Sequence, residues 1–265
     1  MKITIKAYCK INIFLNVSNI INIKFKKHKL ESVCIKYHDL YDVIYISKAN
    51  DLNIKYFKDN NEIFFEQDLI KKALFWLKNK FHNIDINYEI SVIKNIPIGS
   101  GLGGESTDIA CVLNYIIKEY NLVLSKKDYL DIALELGSDI CFFLYDYDLA
   151  YISEYGNEVM PINDIELNYQ LIINKNFNSS TKKVFETFDK INNSFHEFLG
   201  YKQILDILKN KKYQFLFNNL STPTFLCYEE LKIIYDILIS TYKKDTILLS
   251  GSGSSMVLLK KIWIK

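Results

Sequence analysis

The sequence of 265 residues contains no arginine, so its thirty-three Lys and Arg side chains are all lysines. Glycine and proline are also scarce, with nine and three residues. Without arginine the chain cannot hold an anion through a bidentate guanidinium, and phosphate contacts must come from lysine, backbone amides, hydroxyls or a metal ion. A formal net charge of +2 gives no reason to expect nucleic acid or a membrane surface as a partner.

Cysteine chemistry and membrane insertion are not indicated either. The five cysteines are scattered without a C-x-x-C pair, which favours buried free thiols in a reducing compartment. The four histidines show no metal-ligand spacing, and no segment approaches the ~20 apolar residues of a membrane span. No signal peptide is visible, and the first candidate functional residue, Lys10, leaves no room for a cleaved leader. We therefore expect a soluble, cytoplasmic protein that is a monomer or a weak homodimer.

Four of the nine glycines lie close together, in the segment K-N-I-P-I-G-S-G-L-G-G-E-S-T-D at residues 94–108. Residues 85–93 before it alternate polar with apolar, as a half-buried strand does. The apolar residues after it recur at the spacing of one helix face, at Ile109, Val112, Leu113, Ile116, Ile117 and Tyr120. The pattern predicts a strand, a glycine loop and a helix.

Such a loop suits a phosphate group. Glycines adopt backbone angles that other residues avoid, and they let amides approach an anion closely. The helix that follows adds unpaired N–H groups and the positive end of its dipole. The segment matches neither the Walker loop nor the dinucleotide fingerprint. The alternative is a glycine-rich turn that caps a core helix and binds nothing.

The stretch P-I-G-S-G-L-G-G-E-S-T-D resembles the nucleotide-phosphate loop of the GHMP kinases, a superfamily that includes galactokinase, homoserine kinase and mevalonate kinase. Within it, the stretch is most similar to the loop G-L-G-G-x-S-S-D of the kinases that act on 4-diphosphocytidyl-2-C-methyl-D-erythritol. The resemblance implies that the whole loop binds ATP, through Pro97, Ile98, Gly99, Ser100, Gly101, Leu102, Gly103, Gly104, Glu105, Ser106 and Thr107.

Two further motifs imply the catalytic residues. A-Y-C-K-I-N-I-F-L resembles the N-terminal A-x-A-K-I-N-L-x-L, which makes Lys10 a charge-neutralising group and Asn12 a substrate contact. G-S-D-I-C-F-F-L resembles G-A-D-V-P-F-F-L, in which the Asp is the catalytic carboxylate, here Asp139, with Cys141 in place of the usual Pro. Taken alone, Lys10 is an ordinary surface lysine at a strand end and Asp139 an ordinary turn cap.

The same comparison implies a site for the cytosine of the substrate. K-K-H-K-L-E-S resembles G-Y-H-x-L-x-T, so His28 matches, but Lys27 stands where the family has an aromatic residue that stacks on the base. S-T-K-K-V-F resembles S-T-x-x-V-[FY], which assigns Phe185 to the other side of the base. Without the resemblance, His28 is an exposed loop histidine and Phe185 part of a helix core face.

A third glycine motif, S-G-S-G-S-S-M at residues 250–256, resembles the S-G-S-G-x-x-x-F of the family and assigns Gly251 and Ser252 to the substrate phosphates. With Gly137, seven of the nine glycines lie in three separated motifs, which favours one composite anion site. The alternative is a glycine hairpin that only connects two strands.

The remaining patterns are structural. Residues 2–7 and 11–17 predict two short strands. Asp68 predicts the start of a helix, and Ser125 with Asp128 predicts a capping box that opens another. The residues of the first helix expected to face a sheet are Leu69, Ala73, Phe75, Trp76 and Leu77.

The resemblance implies a two-domain α/β (α+β) fold. It has an N-terminal ribosomal-S5-like mixed sheet with helices over residues 1–162, and a C-terminal ferredoxin-like domain over 163–265. It implies ATP-dependent phosphorylation of the 2-hydroxyl of 4-diphosphocytidyl-2-C-methyl-D-erythritol in the non-mevalonate isoprenoid pathway. Mg²⁺ is expected with ATP, although no acidic pair identifies its ligands. The alternatives are another GHMP kinase, of the homoserine or mevalonate type, and a non-catalytic nucleotide-binding relative.

Overall fold

The computed structural model describes residues 2–174, 177–191, 197–243 and 245–260. Within these ranges one sheet is built from β1 Ile3–Asn22, β2 Lys27–Lys48, β3 Asn53–Lys58, β4 Asn61–Ile63, β5 Tyr88–Ile93, β6 Leu149–Ser153 and β7 Glu158–Pro161. A second sheet is built from β8 Tyr169–Ile172, β9 Thr246–Leu249 and β10 Met256–Leu259.

The helices lie between and after these strands. They are α1 Leu69–Lys80, α2 Gly104–Glu119, α3 Lys126–Glu135, α4 Ile140–Tyr145, α5 Thr181–Lys190, α6 Gly200–Lys209, α7 Ser221–Cys227 and α8 Glu229–Thr241, with a 3₁₀ turn at Tyr213–Phe215. None of the helices in the described part of the chain is long and apolar enough to cross a membrane.

The larger sheet is mixed, as predicted. Its strand order is β4-β3-β5-β2-β6-β7, with β1 paired to β2. β3 and β5 run parallel, and the other pairs are antiparallel. Buried residues of β2 and β5 pack with α1 and α2 in one hydrophobic core. This packing holds the start of α2 against the sheet.

The smaller sheet has the order β8-β10-β9 and is antiparallel. The last strand of the larger sheet ends at Pro161, and the first strand of the smaller one begins at Tyr169. The expected division of the chain near residue 162 falls between these two strands and stays a prediction.

The N-terminal strands differ from the prediction, because the two strands predicted at residues 2–7 and 11–17 merge into one long strand, β1. The pairing of β1 with β2 shifts register between Tyr8 and Cys9 and again between Asn12 and Phe14. Such bulges accommodate an extra residue without ending a strand. The interval between the two predicted strands is therefore a bulged part of one strand and not a break.

The capping predictions are confirmed, but the buried face of α1 was predicted wrongly in part. The Asp68 side chain accepts from the Lys71 amide, and Ser125 and Asp128 form the reciprocal capping box. The buried residues of α1 are Ile70, Ala73, Leu74 and Leu77. These follow the i, i+3, i+4, i+7 spacing of a helix face, whereas Phe75 lies about a third of a turn away and is 47% exposed.

Candidate active site

Lys10 and Asp139 meet in one cleft, although 128 residues separate them in the sequence. Lys10 Nζ lies 3.2 Å from Asp139 Oδ2, and the lysine side chain is only 3% exposed. Asp139 directly precedes α4, but its side chain makes no capping hydrogen bond. The carboxylate therefore faces Lys10, contrary to the alternative that it merely caps a turn.

Asn12 fixes the position of the Lys10 ammonium. Its Oδ1 accepts a hydrogen bond from Lys10 Nζ, while its Nδ2 donates to Ser32 Oγ at 2.9 Å and to Cys34 Sγ at 3.2 Å. Burial raises the pKa of the Cys34 thiol to about 12, which keeps it protonated. The amide of Asn12 is thus used within the site, and its direct contact with substrate stays a prediction.

The glycine loop also lines the cleft. The residues that line it run from Pro97 to Ser106, and Gly103 is the N-cap of α2. Gly99, Gly101 and Gly103 all have positive φ, between 67° and 76°. Thr107 is 1% exposed and lies behind the loop, so the structure does not bring it to the cleft.

The second glycine turn packs directly on the first. Ser250 Oγ donates to the Gly101 carbonyl at 3.1 Å, and the Ser255 amide donates to the Ser100 carbonyl at 3.0 Å. A Cβ on Gly253 would lie 1.9 Å from the Gly101 nitrogen. Gly253 therefore serves this close contact, and its neighbours Gly251 and Ser252 line the cleft.

Phe185 of α5 lines the cleft, and His28 lies beside it with ring centroids 5.9 Å apart. His28 does not line the cleft, because its Nε2 lies 3.0 Å from Asp189 Oδ1 and its Nδ1 2.7 Å from the Ser18 carbonyl. Lys27 Nζ donates to the Ala133 carbonyl at 3.3 Å, and burial lowers its pKa. The predicted base contacts are neighbours, but only Phe185 faces the cleft.

The cleft is large enough for a small-molecule ligand and is polar at its centre. Its volume is about 450 Å³, within the range of ligand sites. Two carboxylates line it, Asp139 and Glu105, and no group of three or more His, Cys, Asp or Glu side chains in the described ranges could hold a metal ion. A second cavity, lined by Tyr56 and Phe65, shares Lys94 and Glu105 with the cleft but measures only about 20 Å³.

Comparison with known proteins identifies the family. The family described as GHMP kinases N terminal domain matches residues 68–147. A 4-diphosphocytidyl-2-C-methyl-D-erythritol kinase of Ureaplasma parvum serovar 3 is 35% identical over 260 residues, which cover 97% of this chain and 95% of that protein. The chain belongs to the 4-diphosphocytidyl-2-C-methyl-D-erythritol kinase family.

Two further comparisons agree with this. A 4-diphosphocytidyl-2-C-methyl-D-erythritol kinase of Campylobacter jejuni is 31% identical over 95% of this chain and 98% of that protein. The crystal structure of a 4-(cytidine 5′-diphospho)-2C-methyl-D-erythritol kinase superposes with a TM-score of 0.73, covering 98% of this chain and 90% of that chain at 22% identity. The fold predicted from the sequence is confirmed.

In this member of the 4-diphosphocytidyl-2-C-methyl-D-erythritol kinase family, two hydroxyl residues that line the cleft, Ser179 and Thr181, were not predicted from the sequence. Ser179 Oγ donates to the Ser252 carbonyl at 2.7 Å, and Thr181 Oγ1 lies 2.9 Å from Ser252 Oγ. The Ser179 amide donates to the Gly99 carbonyl at 3.0 Å. The run N-S-S-T at residues 178–181 could have indicated these contacts, because its hydroxyl groups were given no role.

A buried ionic cluster beneath the glycine loop was also missed. Lys94 Nζ contacts Asp42 Oδ2 and lies 2.5 Å from Asp108 Oδ2, and all three side chains are at most 3% exposed. Burial raises the pKa of Asp108 to about 8, against the opposing effect of Lys94. The sequence feature that could have indicated this cluster is the placement of Lys94 and Asp108 at the two ends of the glycine segment.

Proposed function

We propose that this protein transfers the γ-phosphoryl group of ATP to the 2-hydroxyl of 4-diphosphocytidyl-2-C-methyl-D-erythritol, in the non-mevalonate route to isoprenoids. Membership of the 4-diphosphocytidyl-2-C-methyl-D-erythritol kinase family supports the acceptor and the reaction. The observation that carries the proposal is the Lys10–Asp139 pair, which lines the same cleft as the glycine loop. The comparisons do not favour the homoserine or mevalonate alternative.

The glycine loop supports nucleotide binding through its backbone. Positive φ at three glycines turns the chain around the anion site, and α2 begins at Gly104 directly behind it. The first N–H groups of a helix have no intrahelical partner and carry partial positive charge, so they stabilise a phosphate. In a chain without arginine, these amides take the place of guanidinium donors.

Asp139 and Lys10 support the transfer step itself. The acceptor oxygen attacks the γ-phosphorus, the bond from that phosphorus to the β–γ bridging oxygen breaks, and ADP leaves. Asp139 is 37% exposed on its side chain, so it can reach the acceptor hydroxyl and orient or accept its proton. The Lys10 side chain lies beside it and offsets the negative charge that spreads over the transferring group.

Magnesium fits this donor set as a companion of the nucleotide. Mg²⁺ sites at phosphates use one or two protein carboxylates and complete their coordination with waters and phosphate oxygens. The cleft offers Asp139 and Glu105, the second of which lies in the first turn of α2. These two carboxylates would hold the ion, which would reduce the repulsion between the phosphates and the attacking oxygen.

The acceptor end of the site is supported by Phe185. This residue lines the cleft, as a stacking partner for a base requires. His28 supports it from behind, and Lys27 is occupied at the Ala133 carbonyl. Recognition of the cytosine therefore depends on one aromatic face rather than two.

The reaction is proposed to take place in the cytoplasm. The five cysteines, Cys9, Cys34, Cys111, Cys141 and Cys227, are all free thiols. Free buried thiols persist where the compartment is reducing.

The proposal is tested by steady-state kinetics with ATP–Mg and a panel of alcohols. We expect turnover of the cytidyl substrate, and a fall in kcat of about 10²-fold or more for Asp139→Asn and Lys10→Met. The matched controls are Lys36→Met and Asp146→Asn, because Lys36 is also a buried strand lysine and its Nζ lies 2.9 Å from Asp146. The controls should stay within about twofold of wild type, since no reacting group touches them.

Two results would contradict the proposal. Phosphorylation of homoserine or mevalonate without the cytidyl substrate would overturn the acceptor. Equal rates for wild type and Asp139→Asn would overturn the role of the carboxylate.

A further inference from the structure

The Asp42–Lys94–Asp108 cluster lies at both ends of the glycine loop, and no step proposed above uses it. Lys94 follows the last residue of β5 and precedes the loop, while Asp108 lies in the second turn of α2. Asp42 comes from the middle of β2 in the sheet beneath. One buried ammonium thus faces two buried acidic side chains.

Besides its contact with Lys94, Asp42 accepts hydrogen bonds from two backbone amides at the start of the loop. Its Oδ1 accepts from the Asn95 amide at 2.5 Å and from the Ile96 amide at 2.8 Å, and its Oδ2 accepts from Lys94. The residue is fully buried. One carboxylate therefore fixes three consecutive residues at the entry to the loop.

Lys94 extends this connection to the exit of the loop. Its Nζ also donates to the Gly104 carbonyl at 3.3 Å. Space there is tight, because a Cβ on Gly104 would lie 3.0 Å from Ile96 Cγ2 and 3.5 Å from Lys94 Nζ. The entry and the exit of the glycine loop are therefore linked through Lys94, which Asp42 in turn anchors.

We propose that Asp42 is a positioning residue for the nucleotide phosphates, which sets the shape of the loop through the Asn95 and Ile96 amides and through Lys94. The inference rests on the proposed function, since it concerns the loop assigned to ATP. It assigns Lys94 to the loop scaffold rather than to phosphate contact, because two carboxylates and a carbonyl surround its ammonium.

Asp108 provides a matched control for Asp42. Both are buried acidic side chains that contact the same ammonium, so Asp42→Asn and Asp108→Asn make the same chemical substitution at two partners of Lys94. In Asp108→Asn the side-chain oxygen can still accept from Lys94. The new NH₂ group then takes the place of Asp108 Oδ1, which has no hydrogen-bond partner to lose. Asn at 42 cannot do this, because in either orientation its NH₂ group faces a donor, from the backbone amides or from Lys94.

The experiment is calorimetric titration of each full-length variant with ADP–Mg. We expect the ADP dissociation constant to rise about tenfold or more for Asp42→Asn, since a donor facing a donor breaks the loop anchor, and to stay within about threefold for Asp108→Asn. In turnover assays the KM for ATP should rise for Asp42→Asn while the KM for the alcohol changes little. Equal ADP affinities for the two variants would overturn the inference.

Amide hydrogen exchange on the wild-type enzyme keeps the test decisive if Asp42→Asn does not fold. Protected Asn95 and Ile96 amides in the free protein, with further slowing on addition of ADP–Mg, support the inference. Rapid exchange at both amides, or no response to ADP–Mg, overturns it. The titration uses no alcohol, so a protein that binds ADP but ignores the cytidyl substrate refutes the proposed acceptor and leaves the Asp42 comparison intact.

Discussion

Gly101 and Gly200 offer a pair of substitutions that separates backbone strain from steric contact. Their φ values are nearly identical, +76° and +75°. An added Cβ on Gly101 would lie 2.0 Å from the Ser250 carbonyl oxygen and 2.7 Å from Gly253 Cα, whereas nothing lies within 4 Å of a Cβ on Gly200. Gly101→Ala and Gly200→Ala therefore carry the same conformational cost, and only the first forces atoms apart.

The structure gives the size of each effect. Placing alanine in the left-handed region costs about 1–2 kcal/mol at either position. At Gly101 the two glycine turns must also separate by roughly 1 Å, because the interior is close-packed. That movement breaks the bonds from Ser250 Oγ to Gly101 and from the Ser255 amide to Ser100, each worth about 1 kcal/mol. We expect Gly101→Ala to lose about 2 kcal/mol more unfolding free energy than Gly200→Ala.

Activity should separate the two variants more widely than stability does. A displacement of about 1 Å at a group that positions substrate can cost about 10²-fold in rate. Urea unfolding and kcat/KM for ATP, measured on both alanine variants, test this. Gly101→Ala should lose most of its activity and Gly200→Ala should keep it. If Gly101→Ala matched Gly200→Ala in both measurements, the contact between the two glycine turns would not hold the site together.

Three further predictions concern the pH dependence, the acceptor and the thiols. The pKa of Asp108 is raised to about 8, so the stability that its protonated form gives is fully present below the unfolded pKa and is lost as the pH rises through 8. The free energy of unfolding in urea should fall by up to roughly 1 kcal/mol per pH unit between pH 5 and 8. This fall should be absent in Asp108→Asn. Phe185→Leu should raise the KM for the cytidyl alcohol roughly tenfold and leave the KM for ATP unchanged, because the ring is the stacking face. Cys34 should resist iodoacetamide in the folded protein while Cys227 reacts first, because Cys34 is buried and its pKa is raised to about 12.

Each of these has an outcome that contradicts it. A pH slope that is the same in wild type and Asp108→Asn would place the titrating group elsewhere. A parallel rise in both KM values for Phe185→Leu would mean a general loss of structure instead of a lost base contact. If mass spectrometry found that iodoacetamide labels Cys34 before Cys227, the strand around Cys34 would have to open readily.

Local signals predicted the elements whose determinants lie close together in the sequence. The capping box at Ser125 and Asp128 and the cap at Asp68 need only neighbouring residues, and both formed as expected. The glycine segment likewise predicted a strand, a loop and a helix, and β5 and α2 flank it. The order of the motifs along the chain identified the fold, because it is specific to the family.

Contacts between distant segments were predicted only where a motif named both partners. The Lys10–Asp139 pair was expected and lies at 3.2 Å. Asp42 was not assigned, since nothing near it in the sequence shows that β2 passes beneath the amides of Asn95 and Ile96. Similarly, the contact of His28 Nε2 with Asp189 Oδ1 holds the histidine away from the cleft, and residue 189 carries no signal of its own.

The glycines show how composition and structure differ in what they explain. Counting seven glycines in three motifs predicted a shared anion site, and Gly251 and the loop glycines do line one cleft. Gly253 and Gly101 have a different purpose, since a side chain on either would collide with the backbone of the other turn. Binding an anion requires amides that point into the cleft, whereas joining two turns requires that no side chain lies between them. The same residue type therefore satisfies two independent demands within a few residues, and the sequence pattern alone cannot tell which glycine meets which demand.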